Sequence, residues 1–231
     1  MCSSDLASEL GGLAHLSWVV TAFMLCSTVA TPLFGKLSDL FGRRGFLLLA
    51  IALFVGASAL CGLAQSMGQL IACRALQGIG AGGIMTLTQT VITDVVGARE
   101  RVRYQGLFTG AFAFSALAGP LLGGGLTSAL SWRWVFYVNL PLGAVALLLI
   151  WRALPPMPLR GRPRIDWAGA ALLVAAAALA LLLFSGGAAL WGWGPLASLA
   201  AWATVAVLTA LFIRQERRAP EPVLPLSLFA I

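Results

Sequence analysis

An arginine inside a long apolar segment is the first candidate for chemistry in this sequence. Arg74 lies in the segment 70–82 and is followed at helical spacing by Gln77 and Gly78. A guanidinium inside a lipid bilayer is energetically expensive, so such a residue is functional by default and faces a partner or a water-filled cavity. The alternative is that Arg74, close to one end of its segment, extends its long side chain to the outer interface.

A short polar stretch with one carboxylate and two guanidinium groups is the second candidate. Its charged and glycine residues are Gly35, Lys36, Asp39, Gly42, Arg43 and Arg44. We expect a tight two-glycine connection between two helices, with Asp39 close to the N-terminus of the second helix, where the helix dipole favours an anion. The arginines can pair with Asp39 or with anionic lipid. The simpler interpretation is a generic basic turn.

A third pattern consists of small residues around a proline. Ser115, Gly119 and Gly123 recur every four residues, so they form one smooth stripe for close packing on a helix. Pro120 removes a backbone hydrogen bond and bends that helix. Together with Gly124, the pattern is more distinctive than spaced small residues alone, which are common in membrane helices.

Residues for catalysis or metal binding are scarce. The single histidine, His15, lies at the end of an apolar segment without a fixed nucleophile, and no paired carboxylates fall inside the segments. The four cysteines show no C-x-x-C spacing, and we interpret those in apolar segments as small buried apolar residues. We therefore expect a protein that is not an enzyme and that has no metal site and no cofactor.

The composition indicates that the solvent for most of this chain is not water. Hydrophobic residues make up 60% and charged residues 10% of the 231 residues, against about 45–50% and about 25% in average soluble domains. Disorder needs low hydrophobicity and high charge, and a soluble globule needs a polar surface. Both classes are excluded in favour of a membrane protein.

Seven apolar segments are long enough to cross a bilayer as helices. They are 15–34, 45–65, 69–92, 105–128, 134–151, 167–186 and 196–213. Thirteen of the fifteen Lys and Arg residues fall in one set of alternating connections, Arg133 falls in the other set, and Arg74 lies within a span. The positive-inside rule therefore places the basic set in the cytoplasm. The net charge of +7 accordingly marks one side of a membrane and not a nucleic-acid surface.

The polar stretch from Gly35 to Arg44 resembles motif A of the major facilitator superfamily of transporters, which latches the cytoplasmic side of the outward-open state. Leu40 stands where that family often has a basic residue. The Arg74–Gln77–Gly78 spacing resembles motif B, whose arginine is implicated in proton coupling. The Ser115–Gly119–Pro120–Gly123–Gly124 pattern resembles motif C of drug:proton antiporters, which is thought to seal the cavity against proton leak. Serine replaces the usual glycine at position 115.

A further stretch resembles the W-R-W-x-F-x-x-N-x-P-x-G sequence of fourteen-helix exporters of the EmrB/QacA type. It begins at Trp132 and contains Asn139. The resemblance implies an all-α membrane protein with a partial major facilitator fold, covering about helices two to eight of fourteen. The first helix of that family carries an acidic D-x-T-x-x-N stretch that is absent from this sequence, so the proton-titrating carboxylate is not expected among these spans.

The resemblance also implies a division of the chain. The expected units are 1–14 as an external remnant, whose residues 1–6 resemble a sequencing artefact, 15–151 as the N-terminal bundle, 152–166 as a basic cytoplasmic linker, 167–213 as an inserted hairpin, and 214–231 as a cytoplasmic lead-in to a second bundle. We expect the chain to be an incomplete part of a longer transporter and not to transport alone.

The implied function is proton-coupled efflux of drugs by alternating access in a bacterial inner membrane. The expected partners are hydrophobic or cationic small molecules, protons and the lipid bilayer, without nucleic acid, and a periplasmic adaptor protein is left open. The residues expected to line the path are Met85, Thr88, Gln89 and Asn139, although solvation also explains polar residues near inner ends. The alternative is an uptake carrier, or an exporter of a specific metabolite, with the same fold.

Overall fold

The described part of the chain is helical throughout, with short connections. The computed structural model describes residues 16–155, 166–184 and 192–218. Its helices are α1 (Leu16–Phe41), α2 (Arg43–Gly62), α3 (Met67–Val95), α4 (Ala98–Ala129), α5 (Trp134–Tyr137), α6 (Asn139–Ala153), α7 (Trp167–Phe184) and α8 (Pro195–Glu216). These residues include no β-strand. The predicted all-α class is confirmed.

Seven segments are long and apolar enough to cross a membrane, with α5 and α6 together forming one of them. Each predicted span overlaps one of these segments. The predicted external remnant, most of the basic linker and most of the C-terminal lead-in lie outside the described residues. The described helices are therefore those expected of a multi-pass membrane protein.

The connection between α1 and α2 is shorter than the sequence predicts. Helix α1 continues through Phe41, so Gly35 lies inside it and Gly42 alone separates the two helices. Gly42 has a φ of 98°, a left-handed value that glycine adopts without steric cost. The expected two-glycine turn is therefore corrected to a one-residue turn, because the polar residues before Gly42 extend the helix.

Helix α3 begins with a side-chain cap that fixes the position of Arg74. Ser66 is the N-cap residue, and its hydroxyl accepts a hydrogen bond from the backbone N–H of Gln69 at 3.3 Å. The Gln69 side chain in turn accepts from the backbone N–H of Gln65 at 2.9 Å. Such reciprocal bonds satisfy backbone N–H groups that the start of a helix leaves without a partner. With the helix beginning here, Arg74 lies in the second turn of α3.

The centre of the molecule is α3, which packs closely against both α1 and α2. A Cβ on Gly78 or Gly82 would overlap a backbone carbonyl oxygen of α1, and a Cβ on Gly80 would overlap the backbone of α2. Absence of side chains at these positions lets the backbones meet, as in other tightly packed membrane helices. The close approach of α3 to both neighbouring helices therefore depends on glycine at these positions.

Two buried clusters fill the spaces between these helices. One consists of Ala30, Phe34, Leu47, Ala50, Ile51 and Leu87. The other lies where α2 ends and α3 begins, and consists of Cys61, Ala64, Met67, Leu70 and Trp132. Trp132 is 2% exposed, so this tryptophan, next to the start of α5, is part of the buried cluster.

Helices α7 and α8 pack against each other, and α7 also packs against α1. At one end of the pair, Asp166 accepts hydrogen bonds from the backbone N–H of Gly169 at 2.9 Å and from Nε2 of Gln215 at 3.0 Å. At the other end, the rings of Phe184 and Trp202 meet edge to face with centroids 4.9 Å apart. Helices α7 and α8 are therefore held together by contacts at both ends of the pair.

Helix α4 is exposed along nearly its whole length and continues without interruption through Pro120. Leu117 and Leu121 are 77% and 76% exposed. No atom of another part of the described chain lies within 4 Å of a Cβ built on Gly119, Gly123 or Gly124. The small-residue stripe is therefore present but faces no partner among the described residues.

Candidate functional site

Three helices meet at an ion cluster at the predicted cytoplasmic end. Arg43, the first residue of α2, donates to Oδ1 of Asp39 on α1 at 3.0 Å and also pairs with Asp94 at the end of α3. We call Asp39, Arg43 and Asp94 the inner-end cluster. Asp39 binds the side chain of Arg43 and does not cap the backbone of α2. The cluster ties α1, α2 and α3 together by charge-assisted bonds.

The second arginine of this stretch has a different partner. Arg44 donates from Nη2 to the backbone carbonyl oxygen of Trp151 near the end of α6. A basic side chain close to a helix C-terminus satisfies a free carbonyl and complements the dipole. Arg43 and Arg44 therefore connect the start of α2 to different neighbours, which the sequence alone did not separate.

Arg74 points into the helix bundle and not toward the outer interface. Its Nη1 donates to Oε1 of Gln77 at 2.5 Å, and its Nε donates to the backbone carbonyl oxygen of Val19 at 3.4 Å. Its guanidinium carbon lies 4.1 Å from the centroid of the Phe23 ring on α1, within the range of a cation–π contact. The geometry favours the interpretation that Arg74 faces partners within the protein.

The hydrogen bonds of Gln77 extend this contact to two further helices. The Gln77 side chain is 1% exposed, and its Nε2 donates to the hydroxyl of Ser58 on α2. The same hydroxyl accepts from Nδ2 of Asn139 on α6 at 3.3 Å. We call Arg74, Gln77, Ser58 and Asn139 the Arg74 network. Buried polar groups of this kind are stabilising when each has a partner.

The acceptors around Arg74 are all neutral. Within the described ranges, no carboxylate lies within ion-pair distance of its guanidinium. The acidic residues of these ranges lie at or near helix ends: Asp39, Asp94, Glu100, Asp166 and Glu216. The arginine is thus held in position by amide and carbonyl oxygens while its charge is left without a compensating anion from this part of the chain.

A cavity of about 470 Å³ lies between α1, α3 and α7. Its uncharged polar lining consists of four threonines: Thr28, Thr31, Thr86 and Thr90. Asp39 and Arg43 of the inner-end cluster also line it, and α7 contributes Leu173 and Val174. The recurrence of threonine at helical spacing on both α1 and α3 is the sequence signal that marks this wall.

The four residues predicted to line a path lie elsewhere in the structure. Met85 is 46% exposed, and Thr88 lines a separate, mostly apolar cavity of about 320 Å³ beside α6. Gln89 accepts a hydrogen bond from Nε2 of Gln105 on α4 at 2.8 Å, and Asn139 belongs to the Arg74 network. The structure therefore distributes this set over four surroundings and does not bring it together.

Two site residues were missed by the sequence interpretation. Ser58 accepts both amide donors in the Arg74 network, yet it is a lone serine in an apolar helix. Asp94 is the second carboxylate of the inner-end cluster. The sequence does contain a signal for Asp94. It is an acidic residue at the end of an apolar segment, on the side of the membrane where the basic residues are predicted to accumulate.

Comparison with known proteins agrees with this architecture. The family model described as Major Facilitator Superfamily matches residues 2–230. The chain is 38% identical to the multidrug transporter protein MdtP of Bacillus subtilis, with 97% of this chain and 41% of that protein covered. It is 35% identical to multidrug resistance protein 3 of the same organism, with 97% and 44% covered.

A solved structure shows the same arrangement of helices. The crystal structure of the human organic anion transporter MFSD10 (TETRAN) matches with a TM-score of 0.59 and 26% sequence identity, covering 80% of this chain and 45% of that one. The chain thus spans less than half the length of the relatives it matches. The family match over nearly the whole chain establishes that it belongs to the major facilitator superfamily.

Proposed function

We propose that this chain is part of a proton-coupled exporter of hydrophobic or cationic small molecules, of the fourteen-helix EmrB/QacA type, with about helices two to eight present. Two relatives named for multidrug transport or resistance support efflux of small molecules. The three sequence patterns around Asp39, Arg74 and Pro120 support the antiporter subfamily. The alternating-access mechanism follows from the superfamily fold.

The observation that carries the proposal is the position of Arg74. A fixed positive charge is held between helices by Gln77 and by the carbonyl oxygen of Val19. A carboxylate that approaches this charge has its ionised form favoured, and protonation of that carboxylate weakens the pairing. Binding of the proton would then shift the equilibrium between two arrangements of the helices. Coupling of proton movement to transport requires such a shift. The carboxylate itself would come from outside the described residues.

The inner-end cluster supports the second half of this mechanism. Arg43 joins the ends of α1 and α3 through Asp39 and Asp94. We infer that these ion pairs are stable while the cytoplasmic side is closed and are rearranged when it opens. The basic residues on the same side favour an orientation with this cluster in the cytoplasm, and the plasma membrane of a bacterium is the proposed location.

The proposal is tested with the complete reading frame that contains this chain, in everted membrane vesicles. Respiration acidifies the vesicle interior, and uptake of the cationic dye ethidium then reports export from the cell. We expect uptake that a protonophore abolishes, that Arg74→Ala removes, and that Arg103→Ala retains. Arg103 is the matched control because it is an exposed arginine on α4.

Two results would contradict the proposal. Dye uptake unaffected by the protonophore and by Arg74→Ala would exclude proton coupling through this residue. Dye movement in the opposite direction, out of the acidified vesicles, would favour the uptake carrier. Arg74→Lys separates charge from geometry, because lysine keeps the charge but loses the fork of donors that reaches two acceptors at once. We expect Arg74→Lys to retain part of the dye uptake that Arg74→Ala loses.

A further inference from the structure

Three arginines at the predicted cytoplasmic end of α8 line one open recess of about 360 Å³. Arg214 lies in the last turn of the helix, and Arg217 and Arg218 follow directly after its end. We call these three residues the α8 arginines. Ala210 and Ile213 complete the lining of the recess. All three arginines are exposed, and their position around one recess lets several guanidinium groups reach the same ligand.

The acidic residues near this end of α8 lie at the interface with α7 and not in the recess. Glu216 is 3% exposed, and its Oε1 lies 3.2 Å from the position that a Cβ on Gly169 would take. Asp166 accepts a hydrogen bond from Nε2 of Gln215. Among the described residues, no ion pair joins any of the α8 arginines to a carboxylate. The positive charge of the recess is therefore not neutralised by this part of the chain.

Other arginines on the same predicted side of the membrane already have partners in the protein. Arg43 pairs with two carboxylates, and Arg44 donates to the carbonyl oxygen of Trp151. Arg101 donates to two backbone carbonyl oxygens at the end of α3. Within the described ranges the α8 arginines make no such side-chain bond, so their donors can bind a ligand.

The charge and the donor geometry of the recess select a phosphate group. The C-terminus of a helix carries about half of a negative elementary charge, which three guanidinium groups exceed, so the net attraction is for an anion. The planar guanidinium presents a fork of N–H donors that matches two oxygen atoms of a phosphate at once. Clusters of basic residues at the cytoplasmic end of a membrane helix are accordingly suited to anionic lipid headgroups.

The surface of α8 beside the recess favours a lipid over a free phosphate ion. Val207 and Leu211 are 57% and 44% exposed, and they lie one to two turns before Arg214 on the same face of the helix. An apolar surface about 10 Å long therefore leads from the arginines toward the bilayer interior. A phospholipid contacts both the charged and the apolar part, whereas a phosphate ion contacts the arginines alone.

We propose that the α8 arginines bind the phosphate group of an anionic phospholipid whose acyl chains lie along the exposed apolar face of α8. The lipid supplies the negative charge that the described chain does not supply in this recess. This site is separate from the Arg74 network and from the inner-end cluster, so it does not depend on the direction or the coupling of transport.

The test uses the purified 231-residue chain in detergent, with native mass spectrometry and dioleoylphosphatidylglycerol as the probe. We expect one tightly bound lipid, and weaker binding of dioleoylphosphatidylcholine, which has the same acyl chains but no net charge. Each arginine near a membrane surface contributes about a fivefold gain in affinity for anionic lipid. The combined variant Arg214→Gln, Arg217→Gln and Arg218→Gln should therefore bind phosphatidylglycerol about 100-fold more weakly.

A charge-matched control removes three other exposed arginines of the same predicted side, in the combined variant Arg99→Gln, Arg103→Gln and Arg152→Gln. We expect this control to bind phosphatidylglycerol as the wild type does. Equal losses in the two triple variants would overturn the proposal in favour of general attraction by net charge. A wild-type chain that binds phosphatidylglycerol no more tightly than phosphatidylcholine would overturn it as well.

A competition experiment distinguishes the lipid from a free anion. Inorganic phosphate at millimolar concentration should leave the bound phosphatidylglycerol in place, and its displacement would overturn the lipid assignment in favour of a site for free phosphate. Circular dichroism and size exclusion verify that each variant is folded. The three single variants, each expected to lose about fivefold in affinity, decide the outcome if the triple variant unfolds.

Discussion

Helices α3 and α4 carry the same kind of sequence signal and use it differently. Both contain glycines at helical spacing, which predicts close packing. On α3, Gly78 and Gly82 meet the backbone of α1. On α4, Gly119 and Gly123 meet nothing within 4 Å among the described residues. The pattern in a sequence thus predicts a surface suited to close contact, but the partner has to be identified from the structure.

The difference between the two helices extends to their polar residues. Arg74 and Gln77 on α3 are held by several neighbours in the interior. Gln105 on α4 makes one exposed hydrogen bond, to Gln89. Equivalent substitutions on α3 and α4 should therefore have unequal effects on the free energy of unfolding, which can be measured by titrating the purified chain with SDS in mixed micelles.

The largest difference is expected for Gly82→Val. The new side chain overlaps the carbonyl oxygen of Ser27 and forces α1 away from α3, and overpacking of this kind costs about 3 kcal/mol. The unfolding midpoint in SDS should fall accordingly. Gly123→Val on α4 is the matched control and should change the midpoint far less. Equal losses for the two variants would break the comparison.

A smaller loss is expected for Gln77→Leu. Leucine fills a similar volume, but it leaves Nη1 of Arg74 without its acceptor and Ser58 without the amide donor of Gln77. Unsatisfied buried groups of this kind cost about 2 kcal/mol. The matched change Gln105→Leu removes an exposed hydrogen bond and should have no measurable effect. An unchanged midpoint in Gln77→Leu would show that the Arg74 network does not stabilise the bundle.

The next effect concerns charges at the ends of the two helices. Asp94→Asn on α3 removes one of the two carboxylates that pair with Arg43, and we expect a loss of about 1 kcal/mol. The loss should shrink modestly as salt is added, because the side chains of Arg43 and Asp94 are 13% and 18% exposed and are screened less than surface charges. Glu100→Gln in the first turn of α4 is the control, because Glu100 does not belong to the inner-end cluster. A salt-independent loss would contradict an ionic origin.

The smallest effect should have the opposite sign. Gly124→Ala places a methyl group in open space on α4, and alanine is favoured over glycine inside a helix by about 0.5–1 kcal/mol. The midpoint should therefore rise slightly in this chain. Gly80→Ala on α3 gains the same helix propensity but meets the backbone of α2, so its midpoint should fall. A fall in both variants would indicate that α4 packs against an unseen partner.

Some of the site could be predicted from sequence because it depends on local spacing. Arg74 and Gln77 are three residues apart, so they share a helix face whatever surrounds them. The pairing of Asp39 with Arg43 follows from a spacing of four along a nearly continuous helical path. The roles assigned to these residues in proton coupling and latching stay predictions.

Other parts of the site depend on which helices meet and in what register. Ser58 and Asn139 are 81 positions apart, and nothing near either residue marks the other as its partner. The helical continuation to Phe41 was missed because polar residues end an apolar segment without ending a helix.

The one-residue turn at Gly42 has a mechanical consequence. Helices α1 and α2 are long and are joined by Gly42 alone. Any rotation of one helix relative to the other is therefore concentrated in the backbone torsion angles of Gly42. Arg43 is its immediate neighbour and binds a carboxylate on each of two different helices. A small change in the angle at Gly42 therefore displaces Arg43 relative to both carboxylates together. Its two ion pairs then weaken in the same step rather than one after the other.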